Sequence, residues 1–400
     1  MSEPLIYLDH HATTPCDPRV VEAMLPWFSG RFGNAHSIEH EMGRAAEAAV
    51  AEARGYVAAL IGAEPREIVF TSGATEANNL AILGAARHVA RFGASDRRRV
   101  ITAATEHDCV LGAVRGLAEA GFEPVVLPVD RDGMLAPETL AAALAVPTLL
   151  VSVMSVNNET GVIQDVAALA ACARAAGALF HTDAAQAAGR IPLDIAGIDL
   201  MSLSGHKVYG PKGIGALYVR RRPRVRLAPL MFGGGQERGL RPGTLPVPLI
   251  VGFGAACRLA LAEMDAETRR LATLRDTLLA GLREALPSLR VNGSVTRRVA
   301  GNLNLTLPGV DAQALLRAVP ELCLSTGSAC SSAAVAPSRV LRAMGLSEAE
   351  ARQSLRVGLG RTTSQPDVAR AVAVLTSRIA TLAGAPTAPP PPAPESACPR

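Results

Sequence analysis

Lysine is nearly absent from this chain of 400 residues: of its 40 lysines and arginines, only Lys207 and Lys212 are lysines. An arginine stays charged and does not readily form an imine, whereas a desolvated lysine can lose its proton and act as a nucleophile. Because both lysines lie in one short stretch, 199–219, we expect at least one to take part in chemistry. Lys207 is the better candidate, since it follows an apolar, strand-like run. The alternative is a strand and a Pro-Gly turn with two solvated lysines.

Other scarcities exclude whole classes of protein. Aromatic residues make up only 3% of the chain, which argues against a stacking platform for single-stranded nucleic acid. The formal net charge of +4 does not indicate a dedicated nucleic-acid binder, and the basic run 220–226 is interpreted as a solvated edge or a docking patch for an acidic partner. Seven cysteines without a CxxC pair argue against a disulfide framework or a zinc ribbon, and fit a reducing cytoplasm.

No signal for targeting or membrane insertion is expected. The first ten residues lack the basic start and apolar core of a signal peptide. We expect no apolar run of membrane-spanning length. The proline-rich end, 385–400, is predicted to be a disordered tail in which Cys398 is incidental. The sequence therefore predicts a cytoplasmic protein without membrane contact.

Strand and helix patterns alternate along most of the chain, which predicts an α/β fold with a mostly parallel sheet covered by helices on both faces. The predicted strands are 5–9, 68–71, 100–104, 124–128, 148–154, 178–183, 199–204, 214–219, 301–307, 322–326 and 354–359. The predicted helices are 17–28, 38–62, one from about 74, 109–120, 137–144, 165–176, 248–286, 311–317, 337–344 and 366–382.

Polar residues follow several of these strands at their carboxyl ends, where α/β sheets bind ligands. They are Glu106 and His107, the run Asn157 to Glu159, Asp183 with Gln186, and the run Ser204 to Lys207. Each alone is explained as a cap or turn residue, but together they predict one site. A turn at Ser72 and Gly73 leads into the helix near Ala74, which suits a phosphate group, although an ordinary capped helix explains it equally well.

Nine runs in order, among them YLDHHATTP, FTSGATEANNLA, SVNNETGV, FHTDAAQAAG, SGHKVYGPKG, GGGQERGLRPGT and LSTGSACSSA, resemble the cysteine desulfurases. These are pyridoxal-phosphate (PLP) enzymes of the class-V aminotransferase group, and the resemblance covers about 1–384. It implies the aspartate aminotransferase-like PLP-dependent transferase fold. The expected large PLP-binding domain is 16–259, and the small domain is 1–15 with 260–384.

The resemblance also implies roles for individual residues. Lys207 would bind PLP covalently, Asp183 would pair with the pyridine nitrogen, and His107 would stack on the ring and take part in proton transfer. The other expected cofactor contacts are Ala74, Thr75, Asn157, Gln186, Ser204, Gly205, His206 and, from the other subunit of a homodimer, Thr244.

Three further residues would serve the substrate, L-cysteine. Arg356 would bind its carboxylate, assisted by Asn34. Cys330 would accept the sulfur as a persulfide while L-alanine leaves, although from the residues alone Cys330 is also typical of a small buried hydrophobe. His10 and His11 stand where the family varies, and we interpret them as structural.

The acceptor of the sulfur stays open. By resemblance it is an iron–sulfur scaffold or sulfur carrier protein, and Cys330 is a potential transient cluster ligand shared with such a partner; no other metal site is expected. The proline-rich tail replaces an ordered segment that family members use for scaffold docking. Two alternatives remain: a selenocysteine lyase or other PLP lyase or transaminase of the same fold, and a non-catalytic sulfur-relay scaffold.

Overall fold

The computed structural model describes residues 4–93, 95–327 and 337–383. Within these ranges the strands are β1 (Ile6–Tyr7), β2 (Ile68–Thr71), β3 (Arg99–Ala103), β4 (Glu123–Leu127), β5 (Thr148–Ser152), β6 (Leu179–Asp183), β7 (Leu200–Ser204), β8 (Gly215–Val219), β9 (Arg290–Val291), β10 (Asn302–Thr306), β11 (Leu322–Cys323) and β12 (Ser354–Gly358). The α-helices are α1 (Pro18–Met24), α2 (Glu41–Leu60), α3 (Ala74–Phe92), α4 (Asp108–Gly116), α5 (Pro137–Ala143), α6 (Val166–Ala175), α7 (Val247–Ala285), α8 (Ala312–Ala318), α9 (Arg339–Ala343), α10 (Glu348–Arg352) and α11 (Gln365–Ala383).

The largest sheet has seven strands in the order β2-β8-β7-β6-β5-β3-β4. The neighbouring pairs from β7 to β4 are parallel, whereas β8 runs antiparallel to both β7 and β2. The predicted mostly parallel α/β sheet is confirmed. The predicted strand 322–326 is too long, because β11 ends at Cys323, and the short elements β9 and α10 were not predicted.

Helices cover both faces of this sheet because successive strand residues point to opposite sides. Phe70 and Tyr218 pack into the larger hydrophobic core, with residues of α1, α2, α5, α6 and α7. Their neighbours Val69 and Leu217 pack into a second core with α3 and α4. The sheet is therefore buried on both faces and holds its strand ends in fixed positions.

Helix α7 links this layer to the rest of the chain. Its residues up to Ala260 belong to the larger core, while Leu271, Leu274 and Leu278 belong to a separate core with α8, α11 and β10. The predicted domain boundary, between residues 259 and 260, lies within this continuous helix. The domain limits themselves stay a prediction.

The expectation that no apolar run reaches membrane-spanning length is wrong as stated. Helix α7 contains an 18-residue window that is long and apolar enough to cross a membrane by length and composition alone. Half of that window is buried inside the protein, where it packs against α1 and α2. This burial is typical of a core helix, because an apolar face that already packs within the chain has no need of lipid.

Two smaller sheets surround the separate core. Strands β12, β10 and β9 form an antiparallel sheet, and β1 pairs in parallel with β11. Beyond β1, Asp9 bridges to Gly358 at the end of β12. The chain then crosses from this region to the large sheet, which brings residues 10–14 to the site described next.

Candidate active site

The carboxyl ends of the parallel strands meet at one edge of the large sheet and form the wall of a cavity of about 600 Å³. A cavity of this size suits a cofactor or a small substrate. Nine of the residues selected from the sequence line it: Ala74, Thr75, His107, Asp183, Gln186, Ser204, His206, Lys207 and Arg356. The structure therefore brings these nine residues together at one cavity.

Lys207 ends a single helical turn, Gly205–Lys207, that follows β7 directly. Its Nζ donates hydrogen bonds to the backbone oxygens of His11 at 2.6 Å and Ala12 at 2.7 Å. The turn must begin with glycine, because a Cβ on Gly205 would lie 2.8 Å from Ile214 and 2.9 Å from the Pro211 oxygen. The turn therefore fixes the lysine amine against the N-terminal segment.

Asp183 is the last residue of β6, and its carboxylate is held at both oxygens. Oδ1 accepts a hydrogen bond from the backbone N–H of Ala185 at 2.9 Å, and Oδ2 accepts one from Nδ2 of Asn78 at 2.7 Å. Asn78 lies on α3 and is fully buried. Its role was missed, since one asparagine within a helical pattern carries no distinguishing signal.

His107 caps the N-terminus of α4, where its Nδ1 accepts a hydrogen bond from the backbone N–H of Cys109. Because Nδ1 acts as an acceptor, the neutral ring carries its proton on Nε2. The Sγ of Cys109 lies 3.0 Å from the same Nδ1. Behind His107, burial and the nearby Asp183 charge raise the pKa of Glu106 well above its usual value.

One end of the cavity suits a phosphate group. Helix α3 begins at Ala74, and its N-cap Gly73 supplies no side chain to occupy the free backbone N–H groups. Strand β8 can approach this turn because Gly215 has no side chain. A Cβ at this position would lie 2.7 Å from the Cα of Gly73. Across the cavity, burial and neighbouring positive charges lower the pKa of His206 to about 4, so its imidazole is neutral near pH 7.

Arg356 is 2% exposed, and its guanidinium is anchored on one side. Nη2 bonds Oδ1 of Asp9 at 2.8 Å, and Nη1 donates to the backbone oxygens of Asn158 at 3.0 Å and Gly327 at 3.4 Å. Its Nε is buried and has no partner among the described residues. The group can therefore still donate a hydrogen bond to an anion in the cavity.

Four selected residues lie outside the cavity lining. The side-chain amide of Asn157 donates to the Thr105 oxygen and accepts from two backbone N–H groups of its own loop. The asparagine that lines the cavity is its neighbour Asn158. Gly205 lies beneath the lysine turn. Asn34 is exposed and accepts a hydrogen bond from the N–H of His36. Thr244 is exposed on this chain.

The remaining selected residue, Cys330, lies outside the described residues, as does the tail 385–400. Gly327, three positions before Cys330, lines the cavity. Among the residues that the structure describes, no group of three or more His, Cys, Asp or Glu side chains could hold a metal ion. The described cysteines 16, 109, 172, 257 and 323 are all free thiols.

The donor set fits PLP. The cavity offers one amine at Lys207, a carboxylate at Asp183 for a pyridine nitrogen, and an uncapped helix N-terminus for a phosphate. It also contains buried polar atoms without partners among the described residues, at Asn158 Oδ1 and Arg356 Nε. Unpaired buried polar atoms at the wall of a cavity are expected where a ligand completes the hydrogen bonding.

Comparisons with known proteins show which family the chain belongs to. The aminotransferase class-V family model matches residues 6–371. A protein named cysteine desulfurase IscS, from Rickettsia akari (strain Hartford), is 50% identical over 376 residues, which cover 94% of this chain and 91% of that protein. A mitochondrial cysteine desulfurase from Arthroderma benhamiae is 51% identical over 94% of this chain and 74% of its own length. The crystal structure of DndA from Streptomyces lividans is similar with a TM-score of 0.74 and 46% identity, over 87% of this chain and 98% of that one.

Proposed function

Because this chain belongs to the class-V aminotransferase family and is a PLP-dependent cysteine desulfurase, we propose that the cavity described above converts L-cysteine to L-alanine and passes the sulfur to Cys330. The observation that carries this assignment is the presence of Lys207, Asp183 and Arg356 in one cavity of about 600 Å³. An amine, a fixed carboxylate and an anion-binding guanidinium are the groups that such a reaction needs.

The geometry supports a role for several parts of the cavity wall in holding PLP. Lys207 would bind it covalently, Asp183 would contact the pyridine nitrogen, and His107 would lie against the ring. The start of α3, with Thr75, Ser204 and His206, would bind the phosphate. When bound, PLP supplies an electron sink that stabilises negative charge at the α-carbon of an amino acid.

Lys207 would also move the proton from the α-carbon of the substrate. The backbone oxygens of His11 and Ala12 accept hydrogen bonds from Nζ. These oxygens would stabilise the ammonium form that the amine adopts after taking a proton. His107 carries its proton on Nε2 and would donate that proton to the substrate.

Arg356 would orient the substrate through its carboxylate. Three of its five N–H groups are held by Asp9, Asn158 and Gly327, which leaves Nε–H and one N–H of Nη2 as donors. A planar guanidinium fixed in this way binds a carboxylate in one orientation. Asn34, which is exposed and accepts a hydrogen bond from the N–H of His36, would assist Arg356.

Cys330 would be the nucleophile. Its thiolate attacks the substrate sulfur, an S–S bond forms, the Cβ–S bond breaks, and the electron pair stays with the three-carbon fragment that is protonated to alanine. Cysteine and the Cys330 thiol thus give alanine and a persulfide, without an external oxidant. Gly327 lines the cavity three positions before Cys330, which supports this role.

The assembly and the cellular context complete the proposal. Its substrate is cysteine, and like its relatives the enzyme is expected to form a homodimer, in which the exposed Thr244 would reach the partner subunit's site. An iron–sulfur scaffold or a sulfur carrier would then take the persulfide sulfur. We propose a cytoplasmic location, although the name of one relative places that protein in mitochondria.

Covalent labelling tests the cofactor anchor sharply, because the chain has only two lysines. Borohydride reduction of the PLP-loaded protein, followed by peptide mass spectrometry, should place the label on Lys207. Lys207→Ala should lose the label and the visible absorption band, whereas Lys212→Arg should keep both. A label on Lys212 would overturn the assignment.

A further inference from the structure

His11, near the N-terminus, lies in the wall of the cavity, although from the sequence it is interpreted as a structural residue. It is 1% exposed and contacts two residues of the site. Its backbone oxygen accepts hydrogen bonds from Nζ of Lys207 at 2.6 Å and from Nε2 of Gln186 at 2.9 Å. Its ring Nδ1 lies 3.1 Å from Oε1 of Gln186.

These contacts determine which way the amide of Gln186 points. Its nitrogen must face the His11 backbone oxygen, which can only accept, and its oxygen must face Nη1 of Arg190, which can only donate, at 2.9 Å. The Nδ1 of His11 faces that same oxygen and therefore carries the proton. One N–H of the Gln186 amide is left without a partner among the described residues.

The protonation state of His11 follows from its surroundings. Burial and the positive charges of Arg190, Arg356 and Lys207 lower its pKa well below the usual value, so the ring is neutral near pH 7. With the proton on Nδ1, Nε2 is a bare acceptor, and it is buried without a partner among the described residues. A ring that served only to fill space would avoid this cost as a phenylalanine or leucine.

We infer that His11 is a positioning residue of the active site: its Nδ1–H holds the amide of Gln186, so that the free N–H of this amide faces the oxygen substituent of the bound cofactor. This inference rests on the proposed function only in placing PLP in the cavity. The backbone oxygen of His11 contacts Nζ of Lys207, whereas its ring contacts Gln186 and acts through that residue.

The adjacent His10 is a matched control that the chain itself provides. It is equally buried, at 1% exposed, but its two ring nitrogens contact the Gly358 oxygen at 3.0 Å and the Thr362 hydroxyl at 3.3 Å. It does not line the cavity. A variant of His10 therefore perturbs packing at the same depth without reaching Gln186.

The test is a titration of the apoprotein with PLP, followed by visible absorbance, for His11→Leu, Gln186→Leu, the double variant and His10→Leu. His11→Leu should weaken PLP binding by about tenfold, as expected for one lost hydrogen bond. The double variant should bind no more weakly than Gln186→Leu alone, because His11 acts through that residue. His11→Asn places a side-chain N–H near the position of Nδ1 and should restore most of the affinity, and His10→Leu should bind PLP as the wild type does.

Two results would overturn the inference. One is wild-type PLP affinity in His11→Leu, and the other is independent, multiplying losses in the double variant. If His11→Leu fails to fold, His11→Ser is too short to reach Gln186 and takes its place with the same expectation. Because the titration uses PLP alone, a wild type that binds PLP but forms no alanine would contradict the proposed function and leave this inference standing.

Discussion

The side-chain amide of Asn78 donates a hydrogen bond of 2.7 Å to Oδ2 of Asp183, and so joins helix α3 to the end of strand β6. The same amide nitrogen lies 3.2 Å from Sγ of Cys109, which contacts His107. One buried asparagine thus connects the carboxylate that would contact the pyridine nitrogen with the histidine that would lie against the cofactor ring. Its oxygen, Oδ1, has no partner among the described residues.

Removing the carboxylate or its support should slow the reaction to different extents. Asp183→Asn should lower kcat by about a hundredfold, because the cofactor loses the charge that faces its pyridine nitrogen. Asn78→Leu keeps the carboxylate but frees it to rotate, and should lower kcat by about tenfold. Steady-state alanine formation measures both, and wild-type kcat in Asn78→Leu would contradict a supporting role for that residue.

Arg356→Lys should raise KM for cysteine by about tenfold or more, because lysine keeps the charge but cannot make the separate contacts of a guanidinium. Asp9 and the Gly327 backbone oxygen would then lose their contacts with the guanidinium. Arg352→Lys is a suitable control, since Arg352 lies four positions earlier in an exposed ion pair with Glu348. Equal KM values for the two variants would argue against substrate binding by Arg356.

Breaking the ion pair between Glu237 and Arg54 should destabilise the fold. Glu237 accepts two hydrogen bonds from Arg54, at 2.7 and 2.8 Å, and one from the backbone N–H of Phe70. Its side chain is only 2% exposed, so Glu237→Gln leaves the Arg54 charge uncompensated and should cost about 3–5 kcal/mol of unfolding free energy.

The exposed ion pair of Glu348 with Arg352 provides the comparison for that experiment. Glu348→Gln should change the unfolding free energy by less than about 1 kcal/mol, because water screens an exposed pair. Urea unfolding of both variants measures the difference. Similar losses for the two would show that burial of Glu237 contributes nothing.

His181 should make stability depend on pH. It lies fully buried between the hydroxyls of Ser152 and Ser202, and burial lowers its pKa to about 3. Below about pH 6.5 the unfolded chain binds a proton that the folded protein does not, so its contribution is present above that pH and lost as the pH falls.

A variant isolates this contribution from the other titrating groups. Between pH 7.5 and 5.0, the wild type should lose about 2 kcal/mol of unfolding free energy relative to His181→Gln, whose side chain does not titrate. Urea unfolding at both pH values gives the difference. A constant gap between the two proteins would show that His181 titrates alike in the folded and unfolded states.

The large sheet was predictable because six of its seven strands, all but the edge strand β4, are almost wholly buried and leave apolar runs. Strands β3 to β8 each begin within one residue of the predicted position. Short elements such as β9 and α10 were missed, since two to five residues carry no periodicity. Pairing of β1 with β11 joins residues more than three hundred positions apart, and no local pattern specifies it.

The site was predictable where chemistry selects a residue type, and less so where geometry does. Lys207 was indicated by the rarity of lysine and by its place after an apolar, strand-like run. Asn157 and Asn158 are the same residue type, and they differ in that the side-chain amide of Asn157 already makes hydrogen bonds within the protein. The sequence does not show which of the two amides makes these bonds. His11 joins the site only because β1 brings the N-terminal segment across to Gln186. A contact between two distant segments cannot be predicted from the local sequence pattern of either segment alone.

The most direct test of the account is alanine formation from L-cysteine by the PLP-loaded wild type, Cys330→Ser and Cys323→Ser, with a thiol reductant present to remove the sulfur. The wild type and Cys323→Ser should form alanine, and Cys330→Ser should form at least a hundredfold less while still binding PLP. Alanine formed at the wild-type rate by Cys330→Ser, or none formed by a wild type that binds PLP, would contradict the account.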